Sequence, residues 1–288
     1  MAGAEVAVLM RVKSQMYDQI TLEKFGFKTR QSGAHVSRTI MLDELYALFE
    51  QVGIDALPAA YQAAVLEQNC LAKRSGRTRQ LTARHLVELY GLDPANPVHA
   101  GLRFFWSRDK AARPQLALLA AVARDNLLRI LLPTILAKPL ETPVLREQLE
   151  ERVETLWPKR FSPATRKSLA QNINSSLTKA GHLSGRVSKI RQQLKPAIGA
   201  AAYAFYLAWL QGSRGELLLQ SAYCQALDVG NDELLELAAQ ASARGWMVMR
   251  RVDNVVDVDF PALAPVAAKA MQAGQDAAFN RKLPYEQG

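Results

Sequence analysis

Nine basic side chains lie in one short segment of this sequence, and charged groups at that density bind anions. The segment from Lys159 to Lys195 contains nine Lys and Arg residues and no Asp or Glu, which equals the net charge of +9 of the whole chain. A concentrated cationic surface attracts polyanions, because each phosphate that it neutralises releases a condensed counterion. The charge pattern therefore predicts a surface for nucleic acid, with a solvated surface that binds no partner as the alternative.

A second basic run lies upstream, in the stretch between Glu67 and Glu88, which has no acidic residue inside it. Its core, KRSGRTR, has the polar, glycine-containing composition of a loop between two helical patterns. This run supplies either a second set of phosphate contacts or a solvated loop. The candidate contacts in it are Lys73, Arg74, Arg77 and Arg79, and Arg84 follows them.

The residue types that usually carry catalysis or bind metals show no active-site spacing. The four histidines include no HExxH pair and have no Cys or Asp nearby at metal-ligand spacing. The sequence also has no Walker A motif, no GxGxxG motif and no GxSxG elbow. We therefore expect no cofactor, no metal ion and no enzymatic activity. A nuclease with scattered carboxylates is the enzymatic alternative, but the basic segment has no acid to hold Mg²⁺.

The basic segment follows a pattern of two helices. Thr142 and Pro143 are typical of a helix start, and Leu145, Leu149, Val153 and Leu156 define its inner face before Trp157-Pro158 ends it. Ser162-Pro163 gives the same start for a second helix, which we predict to end at Ala180 before Gly181. Its apolar residues share one face, and its opposite face is polar and basic. The candidate DNA contacts here are Arg160, Arg166, Lys167, Ser168, Gln171, Asn172, Ser175 and Lys179.

A glycine-bounded segment, GRVSKIRQQLKP, follows the second helix and predicts a short extended hairpin. In an extended strand Lys189 and Arg191 point to one side, and Ile190 points to the other. We expect Arg186, Lys189 and Arg191 to contact phosphates, and His182 to be a phosphate contact or simply exposed. Helix, turn, helix and basic wing is the order of a winged helix-turn-helix, whose second helix enters the DNA major groove.

The flanking sequence predicts further helices and one more hairpin. Helices are expected near residues 42–52, 58–72, 82–90, 97–107 and 113–131, with Thr82 as an N-cap, and Pro133–Pro143 as a connection. The uncharged stretch 196–213 is too short in its apolar part to span a bilayer and predicts a buried helix. A helix over Asp232–Arg244 then precedes strands at Trp246–Arg251 and Val255–Phe260, joined at Asp253-Asn254. A further short strand is possible at Glu5–Val12.

These elements predict a mainly α protein with an N-terminal helical domain and a winged helix-turn-helix-like C-terminal half that carries short β-hairpins. The expected divisions are residues 1–137, residues 138–275 and a flexible tail at residues 276–288. The two cysteines, Cys70 and Cys224, lie far apart and favour a reducing compartment. The first residues do not form a signal-peptide pattern, so we expect a cytoplasmic protein without a membrane partner.

Three stretches resemble the BrxA-type proteins of BREX phage-defence systems. They are RKSLAQNINSSLTKAGHLSG, LLLQSAYCQAL and AAQASARGWMVMRRVDNVVDVDFP, and the resemblance covers roughly residues 140–262. It rests on spaced apolar residues and glycines and includes no catalytic motif. The resemblance implies a helical, non-enzymatic component that binds double-stranded DNA and works with other defence-system proteins. The alternative is a protein-interaction or RNA-binding scaffold of the same kind of complex.

Overall fold

The computed structural model describes residues 17–30, 32–53, 56–252 and 255–280, and these residues are mainly helical. The α-helices are α1 (Gln19–Lys24), α2 (Leu42–Gln51), α3 (Pro58–Leu66), α4 (Gly76–Tyr90), α5 (Pro97–Arg108), α6 (Arg113–Arg124), α7 (Asn126–Leu136), α8 (Arg146–Leu156), α9 (Pro163–Ala180), α10 (Ile198–Leu210), α11 (Ala222–Gln225), α12 (Asn231–Ala243) and α13 (Ala264–Asn280). Two short 3₁₀ turns cover Ala34–Val36 and Gly215–Leu218. The strands are β1 (Leu183–Ser184), β2 (Ile190–Arg191), β3 (Val248–Val252) and β4 (Val255–Asp259).

The strands form two small antiparallel hairpins, β1 with β2 and β3 with β4. The second hairpin confirms the prediction of two strands after α12, while its predicted turn at Asp253-Asn254 lies outside the described residues. The possible strand at Glu5–Val12 also lies outside them. Residues 276–280 of the predicted flexible tail belong to the end of α13, and residues 281–288 of it lie outside the described residues. A mainly helical protein with short hairpins is therefore confirmed.

Local capping rules explain where the central helices begin. Ser162 accepts a hydrogen bond from the Thr165 backbone N–H, Pro163 opens α9, and Gly181 ends it in the left-handed conformation. Asn96 caps α5 in the same way, with Pro97 in the first turn. These are the starts and stops that the sequence predicts.

Other predicted boundaries are wrong, mostly where a second capping residue competes with the expected one. Ser75, not Thr82, caps α4, so most of the KRSGRTR core lies in its first turn rather than in a loop. Asp125 interrupts the predicted helix 113–131 and caps α7 through the Leu128 N–H. Pro133 lies inside α7 instead of ending the helix. The helix at 58–72 ends at Leu66.

Helix α10 lies at the centre of the core, which confirms the predicted burial of the apolar stretch. It packs against α5, α6 and α12. Tyr203 and Tyr206 are fully buried, and their hydroxyls donate to the Val98 and Pro97 carbonyls at 2.8 and 3.1 Å. Gly101 permits the close approach, because a Cβ there would lie 2.4 Å from the Tyr206 ring.

The hydrophobic cluster is continuous from Leu22 to Ala267. No break in this core therefore coincides with the predicted domain boundary between residues 137 and 138, and the division stays a prediction. Within the described part of the chain, no helix is both long and apolar enough to cross a membrane.

Candidate nucleic-acid interface

Helices α8 and α9 pack against each other, with residues 157–162 as the connection. The inner face of α9 is buried, including Leu169, Ile173 and Leu177, as the periodicity predicts. Lys167, Ser168 and Gln171 are exposed on the opposite face. The helix has no acidic residue, so its outer face carries positive charge and hydrogen-bonding groups without a negative charge of its own.

A three-stranded arrangement supports the turn after α9. Residues 141–144 run beside β2: the Glu141 N–H donates to the Arg191 carbonyl, and the Val144 N–H donates to the Lys189 carbonyl, both at 2.8 Å. This pairing is why Thr142-Pro143 does not open α8, which begins only at Arg146. Leu145 precedes the helix and is exposed, contrary to its predicted place on the inner face.

The loop between β1 and β2, residues 185–189, forms a compact wing. Gly185 has φ +86°, and a Cβ there would lie 2.1 Å from the Ser188 carbonyl oxygen. The Lys189 Nζ donates to the Gly185 carbonyl at 2.6 Å, which ties the two ends of the loop together. Arg186, Val187 and Ser188 are exposed at its tip.

The prediction that Arg191 contacts phosphate is wrong, because this side chain is only 1% exposed. Its guanidinium forms an ion pair with Asp228 and donates to the Gln192 carbonyl at 2.5 Å. Asp228 lies 37 residues away in sequence, in the turn before α12. The buried pair fixes β2 to that turn, and the charge is not available to a ligand.

Three further candidates on α9 are held by partners within the chain. Arg166 pairs with Glu154 of α8, and the Lys179 Nζ lies 2.5 Å from Asp43 of α2. The Asn172 side chain donates to the His35 carbonyl at 2.9 Å.

The remaining candidates around α9 differ in exposure. Arg160 and Arg186 are exposed, with the Arg160 guanidinium 5.0 Å from the centre of the Phe161 ring. Ser175 and Lys189 are half-buried.

The upstream basic run has a similar mixture of held and exposed residues. Lys73 pairs with Glu44 at 3.0 Å, and the Arg79 guanidinium donates to the Leu66 carbonyl at 2.7 Å. Arg74 and Arg77 are exposed beside the start of α4. The positive end of the helix dipole adds to their charge.

The two basic segments meet at the first turn of α2, which the sequence analysis did not predict. Asp43 binds Lys179 at the end of α9, and the adjacent Glu44 binds Lys73 of the upstream run. Acidic residues in a first turn are a common helix-start pattern, but their partners lie far away in sequence. The two carboxylates therefore connect the two basic segments, and each carboxylate neutralises one lysine of one segment.

We expect Asp43→Asn to strengthen nucleic-acid binding, because it releases Lys179 from a partner that competes with phosphate. Affinity for a DNA duplex should rise about threefold near 0.15 M salt, and the log–log salt slope should become steeper by about one. Fluorescence anisotropy over a salt series measures both quantities. Asp232→Asn is the matched control, since Asp232 is an exposed first-turn acid on α12. An equal gain in both variants would show a general charge effect.

A buried polar network holds the inner face of α9 in place. His35 Nδ1 lies 2.8 Å from Asp125 Oδ2, and His35 Nε2 lies 2.9 Å from the Ser176 hydroxyl. The Asp125 carboxylate also accepts the His35 and Leu128 backbone N–H groups. A Cβ on Gly33 would lie 1.8 Å from Asp125 Oδ1, so glycine is required for this close approach. None of these residues belongs to a motif or spacing that would predict such a network from the sequence.

The order Ser176, His35, Asp125 is that of a hydrolase triad, but its surroundings differ from those of an active site. All three side chains are fully buried. The Ser176 hydroxyl lies 2.7 Å from the Asn172 carbonyl and accepts from the Ile40 N–H at 3.0 Å. Burial favours the neutral acid, but the charge and hydrogen bonds of His35 outweigh it and lower the pKa of Asp125. The network connects the N-terminal segment, the α6–α7 junction and α9.

His182 is fully buried, so its prediction as an exposed or phosphate-contacting residue is wrong. Its Nε2–H donates to the Ala226 carbonyl at 2.8 Å. Burial lowers the pKa of His182 to about 4, which keeps the ring neutral at pH 7. It packs beside the Arg191–Asp228 pair as part of the support for the wing.

Across the described ranges, no group of three His, Cys, Asp or Glu side chains could hold a metal ion. Comparison with known proteins gives no match to a family model and no similar curated protein.

Proposed function

We propose that this chain binds double-stranded DNA, with α9 in the major groove and the wing at the neighbouring backbone and minor groove. The order of α7, residues 141–144 paired with β2, α8, α9, β1, wing and β2 supports a winged helix-turn-helix over residues 126–191. The single observation that carries the proposal is the acid-free outer face of α9, which lies beside an exposed basic wing.

The size and chemistry of α9 fit the major groove. Its 18 residues extend about 27 Å. This length allows the helix to lie in the groove while one of its ends projects beyond the DNA backbone. Lys167 and Gln171 are exposed one turn apart, and their side chains can bind guanine and adenine edges. Ser168 and Ser175 provide shorter hydrogen-bonding groups on the same outer face.

Phosphate contacts come from the exposed cations around that face. Arg160 lies just before α9, and Arg186 lies at the wing tip. Lys189 lies next to the wing tip and can contact a phosphate when its Nζ exchanges the hydrogen bond to the Gly185 carbonyl for one to the phosphate. Arg74 and Arg77 follow Lys73, which pairs with Glu44 next to the Asp43–Lys179 contact, and we expect them to add phosphate contacts near that end of α9.

Competition between DNA and RNA duplexes tests this proposal. The deep, narrow major groove of an RNA duplex excludes a helix, so unlabelled DNA should displace a labelled DNA duplex far better than RNA of the same sequence. Equal competition would contradict major-groove binding by α9 and favour an RNA-binding or scaffold function. No binding to either duplex would favour a protein-interaction scaffold.

We propose further that the DNA-binding chain acts without catalysis as a component of a BREX-like phage-defence system, in the cytoplasm. The resemblance of residues 140–262 to the BrxA-type proteins supports this cellular role. Other proteins of the defence system are the partners that it implies.

A further inference from the structure

A cleft of about 800 Å³ lies between the wing and α9 and is floored by the chain before α8. Gln171, Asn174 and Ser175 line it from α9, and residues 186–189 line it from the wing. Residues 143–147 form its floor. This floor exists because α8 begins at Arg146 and not, as the sequence predicts, at Pro143.

The geometry of a DNA duplex indicates which part of the DNA would lie in this cleft. The major and minor grooves are separated by a single sugar-phosphate strand. If α9 lies in the major groove and the wing lies in the adjacent minor groove, the strand between the grooves passes between α9 and the wing. The occupant is therefore one strand of the bound duplex.

The walls of the cleft offer both apolar and cationic contacts that suit a deoxyribose-phosphate chain. Val187 is 92% exposed and Leu145 is 52% exposed, so each presents apolar surface to solvent. Arg186 and Lys189 lie beside Val187. At the floor, the N-cap residue Leu145 has no side chain that could cap α8, so the positive end of the helix dipole faces the cleft.

Asn174 is the second observation that indicates a ligand here. Its side chain is 4% exposed and lies in the wall of the cleft, yet its Oδ1 has no hydrogen-bond partner among the described residues. Buried polar atoms are normally paired, since an unpaired one costs about 1–3 kcal/mol. A carboxamide can pair with a base amino group or, turned over, with a phosphate oxygen.

We propose that one DNA strand lies in this cleft, with its deoxyribose rings against Val187 and Leu145 and its phosphates between the wing cations and the start of α8. The inference rests on the proposed function and adds Leu145, Asn174 and Val187 to the surface. Sugar contacts of this kind distinguish deoxyribose from ribose, because a 2′-hydroxyl would be pressed against apolar side chains.

One acidic group opposes the strand. Glu147 lies at the cleft and pairs with Arg146 at 2.5 Å. Its own backbone N–H and Arg146 lower the pKa of Glu147, so the carboxylate stays charged at neutral pH. A phosphate in the cleft is repelled by this charge, and Glu147→Gln removes the repulsion without shortening the side chain.

Three variants of the full-length chain test the cleft by anisotropy on one DNA duplex over a salt series. Val187→Ala should lower affinity about threefold to tenfold with an unchanged salt slope, because an apolar contact releases no counterions. Glu147→Gln should raise affinity about threefold. Leu140→Ala is the matched control, since Leu140 is 46% exposed but does not line the cleft, and it should bind like the wild type.

The outcomes separate this inference from the proposed function. If the wild type binds duplex DNA and Lys167→Ala weakens it, but Val187→Ala and Glu147→Gln bind like the control, the strand does not occupy the cleft. If the wild type binds no duplex, both proposals fail together. A gain with Glu147→Gln also excludes misfolding as an explanation, because a damaged fold does not bind more tightly.

Discussion

The double variant Lys167→Ala, Arg186→Ala should bind duplex DNA about 30-fold more weakly than the wild type near 0.15 M salt. Each side chain is exposed, one on the outer face of α9 and the other at the wing tip. Loss of one phosphate-neutralising charge at Arg186 and of the Lys167 charge inside the groove should also make the log–log salt slope shallower by about one to two. Anisotropy titrations of one labelled duplex at several salt concentrations give the affinity and the slope together.

A matched control removes two equally exposed cations from other surfaces. Lys110 lies in the turn before α6 and Lys269 lies on α13, so Lys110→Ala, Lys269→Ala changes the net charge by the same amount. The control should retain affinity within about twofold, since long-range charge effects are screened at this salt concentration. Equal losses in the two double variants would show that net charge, rather than the α9–wing surface, drives binding.

The variant Asp125→Ala should lower the free energy of unfolding by about 3–5 kcal/mol, because it leaves His35 buried without its carboxylate partner. It also removes the cap of α7 and frees the His35 and Leu128 backbone N–H groups. Urea unfolding followed by circular dichroism measures the change, with the m-value as a check on two-state behaviour. Asp93→Ala is a suitable control, since Asp93 makes one exposed turn contact.

Acid conditions provide a second measurement on the same residue. The folded state lowers the pKa of Asp125 below its ordinary value of 3.8. Its contribution to stability is therefore complete above that pH and is lost as the pH falls through the folded pKa. The stability gap between the wild type and Asp125→Ala should narrow below about pH 4. A gap that stays constant down to pH 2 would contradict a charged carboxylate in the network.

Local sequence rules were sufficient for the elements that form the candidate surface. A capping serine, a first-turn proline and a terminal glycine defined α9 from Pro163 to Ala180, and its 3.6-residue periodicity separated the buried face from the outer face. The same rules located α5 and the end of α8. These features depend on residues within a few positions of each other, so a single sequence contains them.

Long-range pairing could not be predicted in this way. Alternation along a strand placed Arg191 on the solvent side, but Asp228 provides a buried partner from 37 positions away. The contact between His35 and Ser176 spans 141 positions, and the contact between Asp43 and Lys179 spans 136. Charge counting treated all nine basic residues alike, although three of them are ion-paired inside the chain.

The salt dependence of wild-type binding to a random-sequence DNA duplex tests the central claim most directly. Of the basic residues of the segment, we expect about four or five to contact phosphates, which gives a log–log slope of about −4. A slope near zero, or no binding at low salt, would contradict binding of duplex DNA by α9 and the wing.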